Sequence, residues 1–201
     1  MAPAPTSPPA PAKRTVLGGV GGLDAAVSIR LHALFLPVPR LLLKALEIAG
    51  DGRIWLPVPI SLLLLSASKA NSSGAVSPLL VGLVAGLVLD LILVSLAKVV
   101  VRRPRPDYNP ADMDVAVAVD HWSFPSGHAS RAFLVAAFLA GGLQHCEALF
   151  LWAAATSASR VLLGRHYVLD VVAGACLGVF EAWLINVSLR FICAHNGFLV
   201  C

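Results

Sequence analysis

A nearly unbroken apolar run at positions 79–101, with Asp90 and Lys98 as its charged residues, limits this chain more than any other feature. A helix needs about 20 such residues to cross the ~30 Å hydrocarbon core of a bilayer, where every backbone polar group must find its partner inside the segment. The run therefore predicts a transmembrane helix, and it is not alone. Further apolar stretches lie at 54–68, 132–146, 148–163 and 167–189, several of them short enough that a full span must extend into flanking polar residues. Together they predict an all-α fold, a polytopic membrane helical bundle of five transmembrane helices, or six if the amphipathic segment 40–48 also crosses. A composition that is 58% hydrophobic and 13% charged, with a mean hydropathy of +0.82, excludes a soluble domain of 201 residues.

One composition regime runs through the apolar segments, so a single membrane-embedded domain is expected over 23–201. Residues 1–22 precede it as a disordered, Pro/Ala-rich terminus that has too little apolar surface to bury. That terminus lacks the apolar core of a cleavable signal peptide, and its scarcity of Arg and Ser argues against a plastid transit peptide even though no acid precedes Asp24. Residues 23–36 carry apolar positions at helical spacing with Asp24, Arg30 and His32 between them, as an interfacial helix does, until Pro37 and Pro39 break it. The polar stretch 102–123 is the longest connection after the terminus and a functional suspect for that reason. Cys146, Cys176, Cys193 and Cys201 form no CxxC pair, and the first three suit free thiols in apolar surroundings. The formal charge is +4, but the basic residues concentrate at 98–105 with no interleaved aromatics, which points to an anionic headgroup or substrate and not to nucleic acid.

Three polar clusters stand at the ends of apolar segments. Lys98 closes the run 79–101 and is followed by Arg105-Pro106; Pro125-Ser126-Gly127-His128 opens the next segment; Ser159-Arg160, His166 and Asp170 follow a helical hairpin out and back. With five spans or with six, all three clusters reach the same membrane face. Each residue type has a physical use there. Lys98, Arg105 and Arg160 supply three cations, two of them guanidiniums whose planar forks match phosphoryl oxygens. Ser126 is a favoured N-cap, leaving free N–H groups and a helix dipole behind it for an anion, and Gly127 lets that backbone come close. His166 and Asp170 are four apart, so the carboxylate can hold the imidazole in the tautomer that leaves its other nitrogen nucleophilic. His128 is then available as general acid. Singly, these features have plainer readings: a structural His–Asp bond, a Pro-Ser-Gly turn, snorkelling or topology-setting cations. Their occurrence together, in order and on one face, outweighs those readings.

The strings KVVVRRPRP (98–106), PSGH (125–128) and SRVLLGRHYVLD (159–170) resemble the three-part signature of the type 2 phosphatidic acid phosphatase superfamily, K-x6-R-P, P-S-G-H and S-R-x5-H-x3-D, with every signature position filled. Within it, the surroundings of SFPSGHASR are most similar to the polyisoprenoid and presqualene diphosphate phosphatases and the plant lipid phosphate phosphatases. The resemblance implies a helical core shared with vanadium haloperoxidases. It also implies hydrolysis of a lipid phosphate or diphosphate without cofactor or metal ion, through a phosphohistidine on His166. Asp170 would orient that ring, His128 would donate the proton, and Lys98, Arg105, Ser126, Gly127 and Arg160 would bind phosphate. The implied setting is a multi-pass protein of the endoplasmic reticulum, or of a plastid or other membrane, whose partners are its lipid substrate and the bilayer.

Other residues have plainer expectations. Arg102, Arg103 and Arg165 suit contact with lipid headgroups, although a second phosphate would also welcome them. Asp90 and Glu181, within apolar runs, should pair or face the bundle interior. Asp107, Asp112, Asp114 and Asp120 are spaced too irregularly for a metal loop and suit ion pairs with the neighbouring arginines. A catalytically silent scaffold of the same fold would lack a nucleophile, orienter or cation, and none is missing. A transporter gives no reason for two histidines and three cations to share one face, while transfer to an acceptor other than water leaves no string to read. Five spans and a cytosolic N-terminus put the catalytic face in the cytosol, six put it outside or in a lumen, and the sequon Asn71-Ser72-Ser73 lies on the opposite face.

Overall fold

Apolar residues with good helix propensity, punctuated by Pro and Gly, give a chain of helices. The computed structural model describes residues 19–70, 77–108, 118–141 and 146–196, so most of the terminal segment, the sequon, Asp112 and Asp114 lie outside the described residues. The helices are α1 (Val20–Leu34), α2 (Arg40–Ala49), α3 (Gly52–Trp55), α4 (Pro57–Ala70), α5 (Pro78–Val101), α6 (Gly127–Ala140), α7 (Glu147–Leu162) and α8 (Val168–Asn196). A 3-10 turn at Ala118–His121 precedes α6, and no strand occurs among the described residues. Two described helices, α5 and α8, are long and apolar enough to cross a membrane alone. The pair Arg40–Trp55 and Pro57–Ser68, bent by 41°, forms a third if taken as one broken span. The hairpin of α6 (14 residues) and α7 (16 residues) is shorter.

Helix α6 is the centre of the bundle, packed against α5, α7 and α8. Its Leu134, Val135 and Phe138 meet Leu83 and Leu87 of α5 and Ala182 of α8 in the main core. Gly174 and Gly178 give α8 a flat seam: a Cβ on the second would lie 2.0 Å from the Ser130 carbonyl oxygen, and one on the first 2.5 Å from that of Ser126. Small residues four apart are how membrane helices bring their backbones together. The opposite faces carry Leu91, Ile92, Leu96 and Val100 of α5 and Val172, Phe180, Trp183 and Phe191 of α8, all exposed, as side chains in contact with lipid are. Asp90 and Glu181 are fully buried, and Asp90 lies 3.1 Å from Arg131 of α6, so the intramembrane carboxylates face inward as expected.

Helix α1 does more than lie at an interface. Its Asp24 and Ser28, one helical turn apart and both buried, accept hydrogen bonds from the backbone N–H groups of Leu169 (3.0 Å) and Val168 (3.0 Å). These are orphan donors at the start of α8, satisfied by side chains borrowed from another helix instead of a local cap. At its other end His32 Nδ1 lies 2.7 Å from the carbonyl oxygen of Leu162, the last residue of α7. Helix α1 thus ties together the two ends between which His166 stands. Cys146 and Cys176 are free thiols, whereas Cys193 is disulfide-bonded, which corrects the expectation for that residue.

Candidate active site

Three chain reversals build the site. Helix α5 stops at Arg102, which takes the left-handed conformation (φ 51°), and Pro104 then keeps Arg103 out of the helical region. The chain folds back so that the Ser123 N–H donates to the Arg103 carbonyl at 2.8 Å, which lays residues 103–105 beside the approach to α6. Lys98, in the last turn of α5 and 2% exposed, donates to Asp120 Oδ1 (2.9 Å) and to the Trp122 carbonyl (3.1 Å). The second reversal enters α6. Ser126 occupies the N-cap position, with its N–H donating to the Asp170 carbonyl (2.9 Å) and its buried Oγ making no cap bond, so the hydroxyl is uncommitted.

The third reversal is a Schellman turn at the end of α7. Gly164 sits at φ 74°, its N–H donates to the Val161 carbonyl (2.9 Å), and the Arg165 N–H donates to the Arg160 carbonyl (2.9 Å). The turn folds the chain back so that the His166 N–H also reaches the Arg160 carbonyl (3.2 Å). The spacing between Arg160 and His166 is therefore the length of a helix stop, and the glycine inside it is required by the backbone.

These turns place His166, 2% exposed, with Nδ1 at 2.7 Å from the Ser123 carbonyl oxygen and Nε2 at 3.2 Å from Arg105 Nη1. A carbonyl can only accept, so Nδ1 carries the hydrogen and Nε2 keeps its lone pair toward the cations. Burial, with the charges of Arg105, Arg160 and Lys98 added, pushes the His166 pKa well below the usual imidazole value, so the ring is neutral at neutral pH. Arg105 is held by the carbonyls of Asp120 (3.0 and 2.7 Å) and Arg165 (2.7 Å). Burial beside Arg160 draws its pKa down to about 10, which leaves it charged.

The part expected of Asp170 differs in detail. Its Oδ2 is 3.7 Å from His166 Nδ1, beyond hydrogen-bond range, and the direct partner of the ring is the Ser123 carbonyl. Asp170 instead organises the surrounding shell: Oδ2 accepts from the Tyr167 N–H (2.9 Å), Oδ1 accepts from Arg103 Nη1 (2.7 Å), and its carbonyl receives Ser126. Arg103 also reaches Asp24 (2.6 Å) and lies 4.0 Å over the Tyr167 ring, so its guanidinium is a tie between α1 and α8 and does not face headgroups. Asp120 forms an ion pair as expected, but its carboxylate pairs with Lys98 and only its backbone carbonyl meets Arg105. Among the described residues no cluster of three or more His, Cys, Asp or Glu is arranged to hold a metal.

Lys98, Arg105, Gly127, His128, Arg160 and His166 all line one cavity of about 630 Å³. Asp170 and Ser126 stand behind its wall. His128 Nε2 is buried without a hydrogen-bond partner. Apolar side chains line the same cavity as well: Ile48 of α2, Leu56 and Pro57 at the α3–α4 junction, and Leu91 and Val94 of α5. A separate groove between Phe133 of α6 and Trp183 of α8 is wholly apolar and faces outward. Reading the sequence missed Asp24, Ser28, Arg103 and the Ser123 carbonyl. Only Gly164, following an apolar helical run, carried a local signal.

The chain is similar to known proteins over most of its length. The probable lipid phosphate phosphatase beta of Arabidopsis thaliana is 40% identical over 87% of this chain and 92% of its own length. The undecaprenyl-diphosphatase of Sulfolobus acidocaldarius is 30% identical over 66% of this chain and 63% of its own. Among solved structures, LpxE of Aquifex aeolicus superposes with a TM-score of 0.63 at 26% identity, covering 82% of this chain and 95% of that one. The transmembrane PAP2-type phosphatidylglycerolphosphate phosphatase of Bacillus subtilis superposes at 0.67 over 89% of each chain and, at 24% identity, speaks for the fold. The profile of the PAP2 superfamily matches residues 79–191, the stretch that holds all three chain reversals, and the chain belongs to that superfamily.

Proposed function

We propose that the protein is an integral-membrane phosphatase that hydrolyses a lipid phosphate or diphosphate through a phosphohistidine on His166. The observation that carries this reading is the mixed lining of one cavity. Cations and two histidines share its lining with the apolar side chains of Ile48, Leu56, Pro57, Leu91 and Val94, a combination suited to a phosphoryl group carried on an aliphatic or isoprenoid chain. In the first step the Nε2 lone pair of His166 attacks phosphorus in line. The bond from phosphorus to the lipid oxygen breaks, and His128 gives that oxygen its proton. Lys98, Arg105 and Arg160, with the N–H groups at the start of α6, take up the charge on the equatorial oxygens. In the second step His128 removes a proton from water, the water oxygen attacks phosphorus, and the P–N bond breaks back to Nε2. These residues supply the charge neutralisation that a metal ion otherwise brings, so turnover is expected in chelator.

The lipid phosphate phosphatase from Arabidopsis and the undecaprenyl-diphosphatase from Sulfolobus support a lipid-linked substrate. The experiment is phosphate release from a panel of phosphatidate, polyisoprenyl mono- and diphosphates and a sphingoid phosphate by purified protein in EDTA, with His166→Ala and Arg160→Ala alongside. Activity that survives EDTA and is lost in His166→Ala supports the reading. A requirement for magnesium, or release of phosphate by His166→Ala, contradicts it, and an inactive wild type favours the silent scaffold.

A further inference from the structure

We propose that Glu47 is an internal counter-anion that competes with phosphate for Arg160 and thereby sets how readily inorganic phosphate leaves the site. The inference rests on the assignment of Arg160 to phosphate binding above. Arg160 is 2% exposed, and its Nη1 donates to Glu47 Oε1 in a short ion pair. The same carboxylate oxygen lies 3.6 Å from Arg165 Nε. Glu47 belongs to α2, outside the stretch 79–191 matched by the family, and it lines the same cavity as His128 and His166.

A carboxylate and a phosphoryl group are both acceptor-only oxyanions that seek the same guanidinium fork. One N–H of Arg160 cannot serve both at full strength, so the carboxylate is displaced when phosphate arrives and returns when phosphate departs. The turn after α2 keeps it close enough to return. Arg131 Nη1 donates to the Gly50 carbonyl (3.3 Å), a Cβ at Gly50 would lie 2.6 Å from Thr156 Cγ2, and one at Gly52 would lie 3.0 Å from Arg131 Cζ. Helix α2 is therefore seated on α6 and α7 at a fixed distance, and Glu47 faces Arg160 by construction. Without a counter-anion, an empty site would leave a buried guanidinium uncompensated, which is costly in low dielectric. A carboxylate whose only task was to orient Arg160 would make the opposite prediction, because its removal would weaken phosphate binding.

The test compares wild type with Glu47→Gln, which retains an acceptor and loses the charge, and Glu47→Asp, which retains the charge on a shorter stem. Inhibition constants for inorganic phosphate and for orthovanadate are measured alongside kcat and KM. Replacing a charged partner by a neutral one shifts such an equilibrium by about tenfold. Both inhibition constants should fall by about that factor in Glu47→Gln and by less in Glu47→Asp, with KM falling in the same direction. Unchanged or raised inhibition constants in either folded variant overturn the proposal while leaving the phosphatase reading intact. A wild type that phosphate and vanadate fail to inhibit overturns both.

Discussion

Arg103 lies outside the signature residues, yet its environment predicts one of the largest single-residue effects in the protein. Its guanidinium bridges Asp24 at 2.6 Å and Asp170 at 2.7 Å, and both carboxylate side chains are at most 2% exposed while Arg103 itself is 20% exposed. Removing one partner of a buried ion pair costs about 3–5 kcal/mol because the remaining charge is stranded. Partial exposure of the arginine places the expected loss for Arg103→Gln near the lower end, about 3 kcal/mol. Asp24→Asn strands less charge, since Asp170 keeps its partner. The double variant should therefore lose less than the sum of the two, with a coupling of at least about 1 kcal/mol. Reversible unfolding of the purified protein in mixed micelles with increasing SDS measures all three. Activity should fall in Arg103→Gln as well, because Asp170 also holds the N–H groups of Tyr167 and Ser126. A loss under about 1 kcal/mol with full activity would refute the claim that this bridge positions the site.

Gly164→Ala forces a side chain into a left-handed position that costs about 1–2 kcal/mol, and its Cβ would lie 3.1 Å from the Tyr108 ring; a lower unfolding midpoint with reduced kcat is expected. The pH dependence of kcat/KM has a defined sign. Burial and then the neighbouring cations depress His166, so its lone pair survives to lower pH than an ordinary imidazole allows, and the acid limb from this group falls below the usual histidine value. In Arg105→Gln one depressing charge is gone, so that limb should move to higher pH on the same substrate even as the rate drops; a shift to lower pH would contradict the electrostatic account.

The helices and the convergence of the three clusters were legible because both rest on local pattern: long apolar runs for α5 and α8, and clusters at their ends. The helix stop between Arg160 and His166 was legible in principle from Gly164. The support of the site was not. Asp24 and Ser28 sit on an amphipathic helix like any other, and nothing local says that they meet the first N–H groups of α8, far along the chain. The i,i+4 rule suggested that Asp170 holds His166, but His166 stands in the turn before α8, not on it. The ring therefore meets a backbone carbonyl at Ser123, and a backbone partner leaves no trace in side-chain identities. Arg103 read as a headgroup contact for the same reason: its acidic partners come from opposite ends of the sequence.

The most direct measurement is to mix the wild type with a lipid phosphate, quench it within the first turnovers at a pH that preserves phosphohistidine, digest it and locate any phosphoryl group by mass spectrometry. The account predicts a phosphoryl adduct on the peptide containing His166, absent in His166→Ala. An adduct on Ser126, or turnover with no adduct on His166 under conditions that trap it, would contradict it.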